Sequence, residues 1–223
     1  MKISYRMVII IGIYITCLIT ANTVVIKFVN FGPAALPAAV IVFPLSYIFG
    51  DILTEVYGYK TARRVIWLGF GCNLIFVFFA WIAQILPAAS FWQWQEQYET
   101  ILGHTPRILA ASFSGYLVGE FTNSYILSRM KILTKGRWLW SRTIGSTIVG
   151  EGLDSGVFLT LAFIGTPLFV PSTILNHWIA KVVIETVLTP ATYGIVNWLK
   201  RKEGVDAYDY ATSYNPFTMS EKA

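Results

Sequence analysis

Apolar residues dominate six stretches of the chain, each close to the roughly 20 residues that a helix needs to cross the 30 Å hydrocarbon core of a bilayer. They cover residues 7–29, 37–57, 65–86, 108–128, 143–165 and 172–199 and predict six transmembrane helices. These runs use most of the chain. The expected fold is therefore all-α: one polytopic membrane domain over residues 1–202, followed by a poorly ordered cytoplasmic tail over 203–223. The first run follows Lys2 and Arg6. It is too long for a signal-peptide core and lacks a small-residue cleavage pattern, so it reads as a retained helix. The longest connection, 87–107, carries Phe91, Trp92, Trp94, Gln95 and Tyr98. That mixture suits the headgroup region and predicts a short interfacial helix.

Polar residues interrupt the apolar runs in a regular way. Six carboxylates lie inside them, Asp51, Glu55, Glu120, Glu151, Asp154 and Glu185, with Lys181 as the opposing cation. A charge near the bilayer midplane costs about 2.5–3.5 kcal/mol on insertion scales, so the set implies a polar cavity rather than a lipid-facing surface. Residues three or four apart share a helix face. Asp51 with Glu55, Glu120 with Asn123, Glu151 with Asp154 and Lys181 with Glu185 thus form polar stripes on four helices. Counting from the span ends puts the stripes at similar depth, where they can converge.

One account is purely structural, because polar contacts between membrane helices stabilise bundles by about 0.6 kcal/mol on average. It fits Lys181 paired with Glu185, and Glu55 paired with Lys60 at the cytoplasmic edge. It does not fit the remaining acids, which outnumber the cations and repel one another in a low dielectric. Such carboxylates suit a proton carrier or an acceptor for a cationic or hydrogen-bond-donating ligand. The site candidates are Asp51, Glu120, Asn123, Glu151, Asp154 and Lys181. No catalytic residue, metal ligand or cofactor is expected, and Cys17 and Cys72 read as packing residues.

An internal echo adds to this pattern: GDILTE from Gly50, GEFTNS from Gly119 and GEGLDS from Gly150 each begin with glycine and an acid. Dividing the spans three and three makes the second and fifth equivalent but oppositely directed, as inverted-topology repeats require. Pro33, Pro37 and Pro44 bracket the start of the second span, and Pro190 falls in the last. Each is a kink or a gate.

Composition changes the picture little. The 223 residues are 55% hydrophobic, 16% aromatic and 13% charged, against about 25% charged in soluble chains. The net charge of +5 is explained by topology rather than nucleic acid. Lys and Arg gather at the amino terminus, in the second and fourth loops and after residue 199, while the alternate loops hold only Lys27 and Arg107. By the positive-inside rule both termini are cytoplasmic. Trp138, Trp140 and Trp198 beside these cations suit the inner aromatic belt.

The stretch FPLSYIFGDILTEVYGYKTARRVIWLGF from Phe43 to Phe70, with GEFTNSYILSRMK from Gly119 and GEGLDSGVF from Gly150, resembles the queuosine-precursor transporter family, also called the vitamin uptake transporter family. The resemblance covers nearly the whole chain up to Lys202, and the run from Asp51 to Arg64 is its most specific part. It implies import of a 7-deazaguanine, preQ0, preQ1 or queuine, across the bacterial inner membrane for tRNA modification. A guanine-like edge offers adjacent N–H donors that an ionised carboxylate accepts in parallel. Asp51 and Asp154 are expected to take them, Asn123 to orient the base, Glu120 or Glu151 to carry a proton, and Lys181 to balance charge. Tyr47, Tyr116, Phe158 and Trp178 are placed either to stack on the ring or to pack the core. The surplus of acids favours the ammonium of preQ1 over the neutral nitrile of preQ0.

Rival readings are weaker. An intramembrane aspartyl protease needs paired acids, but Ile48-Phe49-Gly50 before Asp51 lacks the first glycine of G-x-G-D, and Leu153 stands where tyrosine would precede Asp154. A rhomboid-type G-x-S-G motif is missing, since Ser112 occupies its first position, and no phosphate-binding G-x-x-x-x-G-K-[ST] loop is present. A proton-driven carrier, a facilitator and the substrate-binding membrane subunit of an ATP-driven vitamin importer all survive. A homodimer is compatible with the small size.

Overall fold

The computed structural model describes residues 4–31, 34–103, 106–165, 169 and 171–218. Six long helices form the body: α1 (Tyr5–Val24), α2 (Phe43–Tyr57), α3 (Tyr59–Ile85), α5 (Pro106–Leu133), α6 (Leu139–Phe163) and α7 (Pro171–Glu203). A short α4 (Gln95–Leu102) falls within the long connection where one was expected. The Ser4 hydroxyl caps α1 by accepting the Met7 N–H at 3.1 Å, and Pro44 in the first turn of α2 lacks the N–H that would be unpaired there.

The first apolar run leaves the helix at Val24 rather than continuing to residue 29. A hairpin follows, β1 (Phe28–Phe31) against β2 (Ala34–Pro37), antiparallel with Phe28 opposite Pro37. A 3₁₀ turn over Ala38–Ile41 then leads into α2. Of the prolines singled out, Pro33 lies outside the described residues, Pro37 ends β2, and α7 runs through Pro190 without interruption.

Burial is inverted relative to a water-soluble bundle. α2 packs against α1, α3, α5 and α7 and is buried on nearly every face. Its apolar contacts are with Tyr14 and Leu18 of α1 and with Val65 and Ile66 of α3, among others. Charged groups share this interior, whereas α3 turns Ile75, Phe78, Phe79 and Trp81 outward and α7 exposes Val183 and Val187. An exposed apolar belt around a polar core is stable only in lipid. By length and composition α1, the 38–57 segment, α3 and α7 can each cross a bilayer. α5 and α6 are long enough, and the polar residues they bring to the interior lower their hydropathy.

Glycine fixes two features that place the polar residues. Gly58, at φ +85°, separates α2 from α3, and a Cβ there would lie 3.1 Å from the Ala207 side chain and 3.2 Å from that of Asp209. Gly119 and Gly150 let α5 and α6 cross closely: a Cβ on either would stand 3.1 Å from the carbonyl oxygen of the other.

The stretch after Glu203, expected to be poorly ordered, is fastened back onto the bundle. Ala207 donates its N–H to Val56 O at 3.1 Å. The buried Asp209 carboxylate accepts from Tyr59 N at 2.9 Å and Ser128 Oγ at 2.7 Å. Arg63 donates to Ser213 O and Asn215 O at 2.8 and 2.9 Å, and the Trp67 indole donates to Pro216 O at 2.8 Å. These partners belong to α2, α3 and α5, so the strap joins the amino-terminal and carboxyl-terminal helices. Its contacts define a tail end of the bundle, opposite the hairpin end formed by β1, β2 and α4.

Candidate functional site

The three Gly-acid echoes interlock. Gly50 of α2 leaves room for Glu120 of α5, whose Oε2 lies 3.0 Å from the position a Cβ would take. Gly119 of α5 leaves room for Asp154 of α6 and the Tyr47 hydroxyl of α2, and Gly150 of α6 does so for Asn123 of α5. Each glycine thus admits a polar group from another helix, and the acid that follows each of these three glycines in sequence turns into the same interior. Asp51, Glu120, Asn123, Glu151 and Lys181 are each at most 1% exposed.

Within this interior the Lys181 ammonium donates to Glu151 Oε2 at 2.7 Å and Asp154 Oδ2 at 2.5 Å. It also sits 4.6 Å from the centre of the Phe43 ring and 6.0 Å from that of Tyr47, within cation–π range. Asn123 Nδ2 donates to Asp51 Oδ1 at 2.7 Å, and Thr147 donates to Glu185 Oε1 at 2.5 Å. The remaining acceptors have no hydrogen-bond partner among the described residues. They are Asp51 Oδ2, both oxygens of Glu120, Asn123 Oδ1, Glu151 Oε1 and Glu185 Oε2, together with the Tyr47 hydroxyl. A buried polar atom without a partner costs about 1–3 kcal/mol. A group of them around one ion pair is an acceptor-rich surface suited to a ligand that brings N–H donors.

A second ionic cluster closes the tail end. Glu55 Oε1 accepts from Arg142 at 2.8 Å and Lys200 at 2.6 Å, and Lys131 stands 3.6 Å away. Lys131 also donates to Asp206 Oδ1 at 2.5 Å and to the carbonyls of Glu55 and Ala207, while Lys200 reaches Asp206 at 2.9 Å. Burial alone would raise the Asp206 carboxyl, but the hydrogen bonds and charges of Lys131 and Lys200 outweigh it and hold it below the ordinary aspartate range.

Residues 37–195 match the family described as "Putative vitamin uptake transporter". The chain belongs to this family. The matched stretch contains every residue of the central cluster, whereas Lys200, Asp206 and the docked strap lie beyond it. Among similar proteins, a "Probable queuosine precursor transporter" of Bacillus subtilis (strain 168) is 26% identical over 191 residues, 83% of this chain and 82% of the relative. The "Queuosine precursor transporter" of Escherichia coli (strain K12) is 24% identical over 162 residues, 69% of either chain. A "Probable queuosine precursor transporter" of Haemophilus influenzae (strain ATCC 51907 / DSM 11121 / KW20 / Rd) is 25% identical over 169 residues, 72% of this chain and 68% of the relative. No solved structure matches the chain significantly. This member of the vitamin uptake transporter family is a multi-pass membrane protein and not an enzyme.

The six candidates read from the sequence, Asp51, Glu120, Asn123, Glu151, Asp154 and Lys181, come together. The partner of Lys181 differs from the sequence reading: it pairs across to Glu151 and Asp154 of α6, and Glu185 turns to Thr147. Glu55 meets Arg142, Lys131 and Lys200 rather than Lys60 as the sequence suggested. Among the aromatic candidates, Tyr47 lies in the cluster and Phe158 in a small pocket that reaches Asp154. Tyr116 is taken up by Tyr14 at 2.9 Å and Ile66 O at 2.9 Å, and the Trp178 indole donates to Ile148 O at 2.9 Å. Phe43 and His177 were missed. Phe43 stands four residues before Tyr47 and His177 four before Lys181, so the same stagger that found the acids marks them. Among the described residues no His, Cys, Asp and Glu group is placed to hold a metal.

Proposed function

We propose that this chain imports a queuosine precursor, a 7-deazaguanine, across the bacterial inner membrane by alternating access. The observation that carries this is the set of buried, unpartnered acceptors around Lys181, Glu151 and Asp154. It agrees with the substrate named for the relatives, because a guanine-like edge supplies adjacent N–H donors for a free carboxylate oxygen. Asp51, held through Oδ1 by Asn123, presents Oδ2 to the base, and Asn123 Oδ1 adds a second acceptor. The Tyr47 ring supplies a stacking face. Asp154 accepts a further N–H once the ligand competes with Lys181, and Glu120 or Glu151 carries a proton. Lys181 offsets part of the negative charge, and an ammonium on the substrate would offset more.

In this reading all six long helices span the membrane, as two halves of three, with both termini and the tail end cytoplasmic. The conformation described is closed at that end by the Glu55 cluster and strap, so inward release requires these contacts to separate. The test is titration of preQ0, preQ1, queuine and guanine against the detergent-purified chain from pH 5 to 8, followed by uptake into liposomes holding this chain alone. Selective, pH-dependent binding with uptake is expected. Absence of binding to all four would overturn the substrate, and binding without uptake would make the chain a subunit of a larger importer.

A further inference from the structure

At the hairpin end a cavity of about 310 Å³ opens between the hairpin, α4 and the end of α6, lined by Phe28, Phe158 and Phe163 with Glu99 and Thr100 of α4. Its volume is within the range of small-molecule sites, about 300–1,000 Å³. Val25 and Phe158 line it and also line a second, inner pocket with Phe43, Ser112, Asp154 and His177. The two therefore adjoin, and the inner one reaches Asp154, the partner of Lys181. The inner pocket offers about 10 Å³, room for about one water, so a base cannot enter it unless lining side chains such as Phe158 move.

We propose that the outer cavity is a separate, first binding site for the substrate, where a flat heteroaromatic base stacks on Phe163 with its edge against Phe158, whose ring stands at 78° to that of Phe163, and Glu99 receives a cationic substituent. The proposal rests on the import reading above. Its chemistry differs from that of the central site: aromatic walls and one carboxylate here, a set of buried acceptors there. Among the described residues, Glu99 is the one charged residue on the wall of the cavity, and its Oε1 is held by the Gln95 amide at 2.8 Å. A ligand carrying an ammonium is thus favoured at the mouth, and Phe158, shared by both pockets, passes the ring inward.

The test compares uptake of the amine preQ1 and the nitrile preQ0 by liposomes holding wild type, Glu99→Gln, Phe163→Leu or Phe163→Ala. Phe163→Leu keeps apolar volume while removing the ring, so an effect on it does not depend on the truncated variant folding. Glu99→Gln is expected to raise the half-saturating concentration of preQ1 by about fivefold and that of preQ0 by less than about twofold. Phe163→Leu should raise both by about fivefold. In purified Asp51→Asn, weak preQ1 binding should persist and disappear when Phe163→Ala is added. Half-saturation within about twofold of wild type in both Glu99→Gln and Phe163→Leu, with wild type still transporting, would overturn the outer site and leave the import reading standing. Failure of wild type to take up or bind either base would overturn both.

Discussion

The two ionic clusters use the same residue types in opposite proportions. At the tail end three cations, Arg142, Lys131 and Lys200, meet two carboxylates, Glu55 and Asp206. In the centre one cation, Lys181, serves a group of five carboxylates, Asp51, Glu120, Glu151, Asp154 and Glu185, and several of their oxygens remain without a partner. The first arrangement sets its charges against one another within the protein and acts as a clasp, although Glu55 Oε2 and Arg142 Nε have no partner among the described residues. The second leaves acceptor oxygens unpaired, and the substrate proposed above would supply the positive charge or N–H donors that they lack. Charge balance, rather than burial or residue type, distinguishes the two networks, and the proposed function assigns binding to the unbalanced one.

The comparison breaks most sharply if Lys181 is removed. Lys181→Met leaves Glu151 and Asp154 buried without a cation and should cost about 3–5 kcal/mol of stability, read as a lower unfolding midpoint in detergent together with lost uptake. Adding Asp154→Asn should restore part of the stability and none of the uptake. Glu55→Gln should cost about 1.5–3 kcal/mol in the same unfolding assay while ligand affinity stays close to wild type. Asp51→Asn should do the reverse. Its amide oxygen still accepts from Asn123, so folding is kept, yet the free carboxylate oxygen is gone and affinity should fall about tenfold, or about 1.4 kcal/mol, by direct titration. Retained affinity would separate Asp51 from the site.

The smallest effect concerns acid. Because Asp206 is held below its ordinary pKa in the folded protein, its contribution is fully present above about 3.9. It is lost as pH falls through the lower folded value. Wild type should exceed Asp206→Asn in unfolding midpoint near neutrality, and the difference should shrink toward zero below about pH 4. With 44% of its side chain exposed, the effect should be modest.

Much of the fold was legible because lipid imposes a single ruler on helix length, and the acids announced themselves by cost. Their convergence followed from the three- and four-residue stagger and from the Gly-acid echo. The pairing was not legible. Helix spacing sees only neighbours on the same helix, so it joined Lys181 to Glu185 and Glu55 to Lys60. The actual partners are set by how α6 and α7 face each other and by how the α5–α6 turn carries Lys131 and Arg142 toward α2. The hairpin was hidden because Phe28 and Val29 extend the apolar run past a single lysine, Lys27. The docking of Asp209 and the segment after it has no periodic signature, since it depends on a space that Gly58 opens between α2 and α3.

The strap also bears on how the protein is made. Residues 204–218 are synthesised after all the helices they fasten, and chains emerge at about 5–20 residues per second. During that interval Tyr59 N lacks the Asp209 carboxylate, Arg63 lacks the carbonyls of Ser213 and Asn215, and Lys131 lacks Asp206. A nascent bundle therefore presents an unfinished, basic face at its tail end. A chain whose strap fails to seat keeps that face uncovered after its last helix is made.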